Sequence, residues 1–363
     1  MAYTTIDDPS AYFQVAIWSG NGSNQAITND GNSDLQPDLV WIKARNETSD
    51  HAILDSSRGL SARLHSNTDD VETSDTSATM SSFDSDGFTM TQYNVANDAN
   101  DTGVAWQWKM NGGTTTAGGG TDSAATTTYQ SNTTAGQSIV TYTGEGSSMT
   151  VAHGLGAVPH AIFVKKRTND GENWRVYHQY GNHGGSHSAQ QAGGTLNSNA
   201  SFDFGANSYW DNTDFTSTLF TVKDNSTVNE NTDTYVAYCF SQIQGYSKFG
   251  KYTGNGQDDN QYGPFIYTGF KPAWLMIKRT TANQWGIYDS KRGTHNEITM
   301  NLDADSDSAE NTATNYDDLD FLSNGFKLYE NNDDVNADGG AYVYFAFAEY
   351  PFVSSEGVPV TAR

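Results

Sequence analysis

An all-β fold made of three tandem, homologous β-sandwich or jelly-roll-like units is the class this sequence predicts, on three observations. Tyr, Phe and Trp number 20, 17 and 8 and make up 12% of the 363 residues, and such side chains suit pleated, half-buried surfaces. The apolar runs are short, alternating or continuous, and end in Gly, Asn or Asp, with no sustained helical period. Five sequence blocks also recur three times in the same order, the signature of a repeat architecture.

The blocks define the elements in turn. Each unit opens on a strand that runs into a G-x-G turn: IWSGNG from Ile17, TYTGEG from Thr141 and KYTGNG from Lys251. A proline then starts an apolar strand ending in lysine: PDLVWIKAR from Pro37, PHAIFVKKR from Pro159, PAWLMIKR from Pro272. In the second of these, Ile162 and Val164 face one way, and Lys165 to Arg167 return to water. The third block reads HAILDSSRG from His51, NWRVYHQYG from Asn173 and QWGIYDSKRG from Gln284. FDSDGFTM from Phe83, DFTSTLFTV from Asp214 and FLSNGFKL from Phe321 form the fourth. Each unit closes on a strand: GVAWQW from Gly103, YVAYCF from Tyr235, YVYFAF from Tyr342. These blocks place unit 1 at 1–110, unit 2, divergent and with a His-rich loop, at 138–245, and unit 3 at 246–353. A Gly/Thr-rich linker or excursion at 111–137 separates the first two, and 354–363 is a C-terminal tail.

Charge narrows the function classes. Asp and Glu outnumber Lys and Arg by 43 to 19, a net charge of −24. That balance argues against nucleic acid, whose binding relies on basic side chains releasing counterions, and against an anionic membrane surface. The N-terminus, MAYTTIDDPSAYFQ, lacks the basic patch and apolar core of a signal peptide. Cys239 is the sole cysteine, which excludes a disulfide framework within the chain.

Five groups of residues are candidates for chemistry. Asp55, Arg58 and Gly59, with Asp289, Arg292 and Gly293, form a D-S-x-R-G motif at a strand exit, read as an ion pair shaping a turn. Asp334, Asn336 and Asp338 have the one-three-five spacing of a calcium loop, but Phe345 stands where a twelfth-position glutamate belongs. Calcium is the ion such a loop would take; turn formation is the reading preferred, and no cofactor is expected. His178, His183 and His187 cluster without a cysteine, a poor metal set. Tyr209 and Trp210, in a loop of Asn and Asp, are the pair that could grip a sugar face, with His183 and His187 added as polar contacts. No G-x-S-x-G, H-E-x-x-H or phosphate-loop pattern occurs, so no enzyme is expected, although a glycosidase carboxylate pair is defined only in space.

The segments AYTTIDDPSAYFQ, NDGNSDLQPDLVWIKAR, ILDSSRG, SDGFT and VAWQWK resemble a recurring domain of tailed-phage virion proteins, those of phages of marine bacteria and cyanobacteria. The likeness covers 2–110 and returns at 246–352, while the middle unit departs from it. It implies a virion structural protein, assembled in the host cytoplasm and placed on the particle surface as a tail-fibre or appendage component in host attachment. Capsid-surface decoration, a glycan-binding receptor module and, last, a polysaccharide-degrading enzyme are the alternatives. The expected partners are other virion proteins and a host surface glycan, with no nucleic acid and no membrane. Three tandem copies would either close a pseudo-threefold body in one chain or belong to a homo-trimer.

Overall fold

The computed structural model describes residues 2–360 apart from 75–78, 93–94, 120–126, 184–186, 205–208, 258–261 and 313–318. All its strand pairs are antiparallel, and among the described residues the single α-helix is the turn Ser226–Asn229. The chain is therefore all-β.

Three large sheets carry the architecture. The first contains β1 (Phe13–Ser19), β2 (Leu39–Ala44), β3 (Ala52–Asp55) and β4 (Thr102–Trp108), ordered β1-β4-β2-β3. The second contains β5 (Gln137–Thr143), β6 (Ala161–Lys166), β7 (Arg175–His178) and β8 (Thr234–Phe240), ordered β5-β8-β6-β7. The third contains β9 (Ser247–Thr253), β10 (Phe270–Arg279), β11 (Trp285–Asp289) and β12 (Ala341–Pro351), ordered β9-β12-β10-β11. In each, the opening strand pairs with the closing one, and the proline-led strand lies beside the latter.

A small sheet covers one face of each. Gln25–Ile27, Gly87–Met90 and Met80–Asp84 cover the first, Met149–Ala152 and Leu219–Val222 the second, and Phe265–Tyr267, Gly325–Leu328 and Leu319–Leu322 the third. The opposite faces of all three large sheets meet in one central core. Strand periodicity decides which residues go where. In β4, Val104, Trp106 and Trp108 point to the centre and Ala105 to its own small sheet. In β8 the central set is Val236, Tyr238 and Phe240, and the outer set Tyr235, Ala237 and Cys239. In β12 Val343, Phe345 and Phe347 face inward, and Tyr342, Tyr344 and Ala346 outward. Burial on both faces explains why these closing strands carry so few polar residues. Each large apolar side chain so buried contributes roughly 1.5–3 kcal/mol.

The G-x-G turns are also explained by packing. A side chain at Gly20, Gly144 or Gly254 would sit 2.3, 2.1 or 2.3 Å from a backbone carbonyl of the facing loop. The second glycines, Gly22, Gly146 and Gly256, have φ of 68°, 65° and 62°, a conformation that favours glycine.

Two expectations are corrected. Outside 120–126, the 111–137 stretch is not a linker: Thr116–Gly118 and Thr127–Asn132 pair in series onto β5 and extend its sheet. Its threonines, β-branched and uncharged, suit a strand as well as a loop. Lys165 and Lys166 do not return to water either; both are buried, as are Lys43 and Lys278 at the matching positions of β2 and β10.

Candidate functional site

Three seams run between the large sheets, and each holds buried charged and polar groups. One bond at each comes from a buried lysine. Lys43 Nζ donates to the Asp307 carbonyl at 3.2 Å, Lys165 to Asp69 at 2.9 Å, and Lys278 to Asn199 at 3.4 Å. Burial pushes all three ammonium groups down to about 8, against the pull of nearby carboxylates. A second bond is backbone to backbone: Glu310 N–H to Arg45 O, Glu72 N–H to Arg167 O, and Phe202 N–H to Thr280 O. A third comes from a ring nitrogen at the head of β3, β7 or β11. Trp174 Nε1 donates to His65 O at 2.7 Å and Trp285 Nε1 to Thr195 O at 2.9 Å. His51 does the same to Asp303 O at 3.1 Å, since its Nδ1 already accepts from Trp41 Nε1 and so leaves the proton on Nε2. In all three kinds the first sheet system bonds to the third, the second to the first, and the third to the second. The contacts close into a ring.

The D-S-x-R-G motif lies inside these seams. Asp55 Oδ1 accepts from the N–H of Ser57 and Arg58, which folds the turn, while Oδ2 takes Arg58 Nε at 2.5 Å. Tyr238, from the middle of β8, then donates its hydroxyl to the same Oδ2 at 2.8 Å. Asp289 repeats this with Lys291 and Arg292 N–H, Arg292 Nε at 2.5 Å, and Trp106 Nε1 at 3.0 Å. Both pairs have no exposed side-chain surface. Burial alone would lower the pKa of Arg58, but Asp55, Tyr238 and Glu72 outweigh it and raise it. Arg292 is raised in the same way by Asp289 and Glu310. Glu72 continues one chain to Arg167, and Glu310 the other to Arg45, so each network spans its seam. Gly59 has φ 92° at the turn exit. Gly293 is instead hemmed in by Ile298, 2.8 Å from where a side chain would begin.

The seam between the second and third sheet systems is built differently. His178 takes the aspartate position and Phe345 the donor position, and their rings meet edge-on at 4.8 Å between centroids. Tyr180 N–H donates to His178 Nδ1, so Nε2 carries the proton and donates to Tyr344 O. Burial holds this imidazole down to about 3, hence neutral.

The expected sugar-gripping pair is not a surface platform. Trp210 is fully buried, with Nε1 donating to Ala192 O, and packs on Tyr177 and Phe215. Tyr209 lies over Gly193 beneath the Arg175 guanidinium and bonds Asp203 through its hydroxyl. The large rings fill the second outer core because the segment around them has few other apolar residues to offer. His183 Nε2 sits 3.0 Å from Tyr252 O, and His187 is exposed, its carbonyl held by Asn182; residues 184–186 between them lie outside the described set. His178 is in the seam, so the three histidines do not converge.

Asn336 is likewise committed. It is buried, its Oδ1 accepts from Asn255 N–H, and its Nδ2 donates to Asn255 Oδ1 and Gln257 O. Asn97 and Asn229 hold the other two G-x-G turns, their carbonyls taking Gly22 and Gly146 N–H as Asn336 takes Gly256. Asp338 is exposed, and Asp334 is raised above the usual carboxylate range by burial and by Asp333. This is a turn whose asparagine faces inward, and among the described residues no group of three or more His, Cys, Asp or Glu is disposed to hold a metal. The repeated V-x-N and V-N around Asn97, Asn229 and Asn336 was the sequence signal for these anchors. A lysine at the same strand position in all three copies was the signal for the seams.

No curated protein and no solved structure matches the chain. One family model does, a domain of unknown function (DUF7483), and its match runs over residues 8–351, taking in all three large sheets. The chain belongs to that family.

Proposed function

We propose that the chain is a structural component of a virus particle's surface, three copies of one β-unit closed into a pseudo-threefold body, serving as a tail-fibre or appendage piece in host attachment. The observation that carries the reading is where the buried charge goes. Lys43, Lys165 and Lys278 each tie a carbonyl of their own loop to one of the neighbouring sheet system, and the Asp55–Arg58 and Asp289–Arg292 pairs each take a donor from the neighbouring system. Buried groups tied into such networks rigidify a body and serve architecture better than turnover. The shared strand order, the ring of equivalent bonds and the repeated G-x-G turns support common descent of the units. A family match spanning all of them supports their working as one piece. The likeness to tailed-phage virion domains supplies the setting.

Purified particles test the setting. Peptides of this chain should appear in density-banded virions, and antibody labelling should mark the tail or its appendages. Labelling of the capsid lattice would move the assignment to surface decoration, and absence from banded particles would overturn it. Light scattering tests the body: one chain closing its own ring should give a 39.5 kDa species. A mass three times larger would mean that the chain trimerises.

A further inference from the structure

The small sheet over the third system differs from its two counterparts on its solvent side. In each system one residue of the outer strand seals the outer core by pairing with a phenylalanine: Ile27 with Phe88, Val151 with Phe220, and Ile266 with Phe326. The residues that flank it take the opposite face of the sheet. In the first system they are Ala26 and Thr28, and in the second Thr150 and Ala152. In the third they are Phe265 and Tyr267, which leave 47% and 46% of their surface in water. Small side chains serve the same fold twice, so packing does not account for two large exposed rings in the third copy.

The two rings form one platform. Both border Gly325: Tyr267 pairs with it across the ladder, and Phe265 Cε2 lies 3.0 Å from where its side chain would begin. Tyr267 is also held in place. Tyr3 spends its single hydroxyl proton on Gly269 O at 2.7 Å, so in the 2.9 Å contact between the two hydroxyls Tyr267 donates to Tyr3. Lys248 Nζ lies 5.3 Å from the centre of the Tyr267 ring. A ring fixed before contact loses little conformational freedom on binding.

Area and charge decide what such a platform takes. Even with Tyr262, which is 62% exposed, the three rings offer roughly 300 Å². A specific protein partner covers about 800 Å², so the rings are too small a patch to seat one. A polyanion such as nucleic acid is repelled by the net charge of −24, and so is an anionic lipid surface. Small apolar molecules bind in concave pockets that enclose them, whereas these rings stand on the solvent face of a sheet. What remains is an uncharged polymer, apolar on one face and hydrogen-bonding at its edges, and a pyranose chain has that chemistry. We infer that Phe265 and Tyr267 form a saccharide platform, stacking the C–H faces of a neutral polysaccharide whose hydroxyls stay in water. The inference names a partner class for host attachment and rests on that reading only for the source of the glycan.

The test uses the purified full-length chain with hexasaccharides of glucose, mannose, xylose and N-acetylglucosamine as probes, titrated by NMR chemical shift. At least one should bind with a Kd on the order of 0.1–1 mM. Phe265→Ala and Tyr267→Thr bring in the residue types that the first system carries at these positions, Ala26 and Thr28, so both variants should fold as the wild type does. Each should weaken binding about tenfold. The double variant should abolish it, and Phe204→Ala, at an exposed ring of the second system, should leave it unchanged. No signal from any probe with folded wild-type chain overturns the platform. So does binding that survives the double variant or falls equally with Phe204→Ala. Self-association that the double variant abolishes, with no sugar bound, also overturns it and makes the rings a protein contact. Particle labelling reads the attachment role separately: a chain that binds sugar yet is missing from virions keeps the platform and loses that role.

Discussion

The two seams that carry an aspartate and the one that carries His178 solve the same packing problem in opposite ways. Asp55 and Asp289 are buried anions, each neutralised by an arginine three residues on and capped by a donor from the neighbouring sheet, Tyr238 or Trp106. At the seam of His178 neither charge is present, nor is the donor: Phe345 stands where Tyr238 and Trp106 stand at the other two seams. Donor and anion are present together at two seams and absent together at the third, although positions 178 and 345 belong to different sheets. The pairing rule is physical. A buried carboxylate needs every lone pair occupied, whereas a phenyl ring beside one would leave it short of a partner.

Breaking that rule gives the largest effect expected. Asp289→Ala strands the Arg292 guanidinium in the core and orphans Trp106 Nε1, which should cost about 3–5 kcal/mol in denaturant unfolding. Asp55→Ala should cost as much. His178→Ala removes one neutral hydrogen bond and some packing, so it should cost clearly less, about 1–3 kcal/mol. Equal losses at the three sites would mean that the charged and neutral seams are not different solutions at all.

The donor side gives a smaller effect and sharpens the rule. Tyr238→Phe keeps the ring against Trp174 and removes only the hydroxyl on Asp55, for about 1–2 kcal/mol. Phe345→Tyr places a new hydroxyl against neutral His178 and should destabilise as well, since no anion waits for it. If Phe345→Tyr were instead stabilising, that seam would have room for a donor, and the joint absence of anion and donor there would have another cause.

Much of this was legible in the sequence, but only along the chain. The five repeated blocks placed the strands of all three sheets, and alternation in β4, β8 and β12 separated inward from outward residues. The D-S-x-R-G segments hold an aspartate–arginine pair within a turn in the folded chain. Its third partner was not readable, because a repeat states its period and not which copy's aromatic residue reaches which copy's aspartate. The lysines misled for a related reason. A lysine after an apolar strand ordinarily marks the return to water, and the carbonyls that keep these three inside come from their own loops and from the facing Asp307, Asp69 and Asn199. Trp210 misled because polar neighbours in sequence say nothing about the ring packed above it.

The lysines also supply the smallest effect, and one that ought to be indifferent to the kind of seam. In the folded chain each titrates near 8, against about 10.4 for an unfolded lysine. Between those values the unfolded chain binds more protons, so stability must rise with pH across that window. Below 8 both states are fully protonated and the burial cost is present in full. Above 10 the buried tyrosines, Tyr142, Tyr238 and Tyr246, reverse the trend, because burial raises them and only the unfolded chain then ionises. Unfolding free energy should therefore climb from pH 7.5 to 9.5, on the order of 1 kcal/mol per lysine, and fall beyond. Lys43→Met, at a charged seam, and Lys278→Met, at the neutral one, should each remove a similar share of the climb. If only Lys43→Met flattens it, then the carboxylates around Lys43, Glu310 among them, set the response, and the lysine is not the element that the three seams have in common.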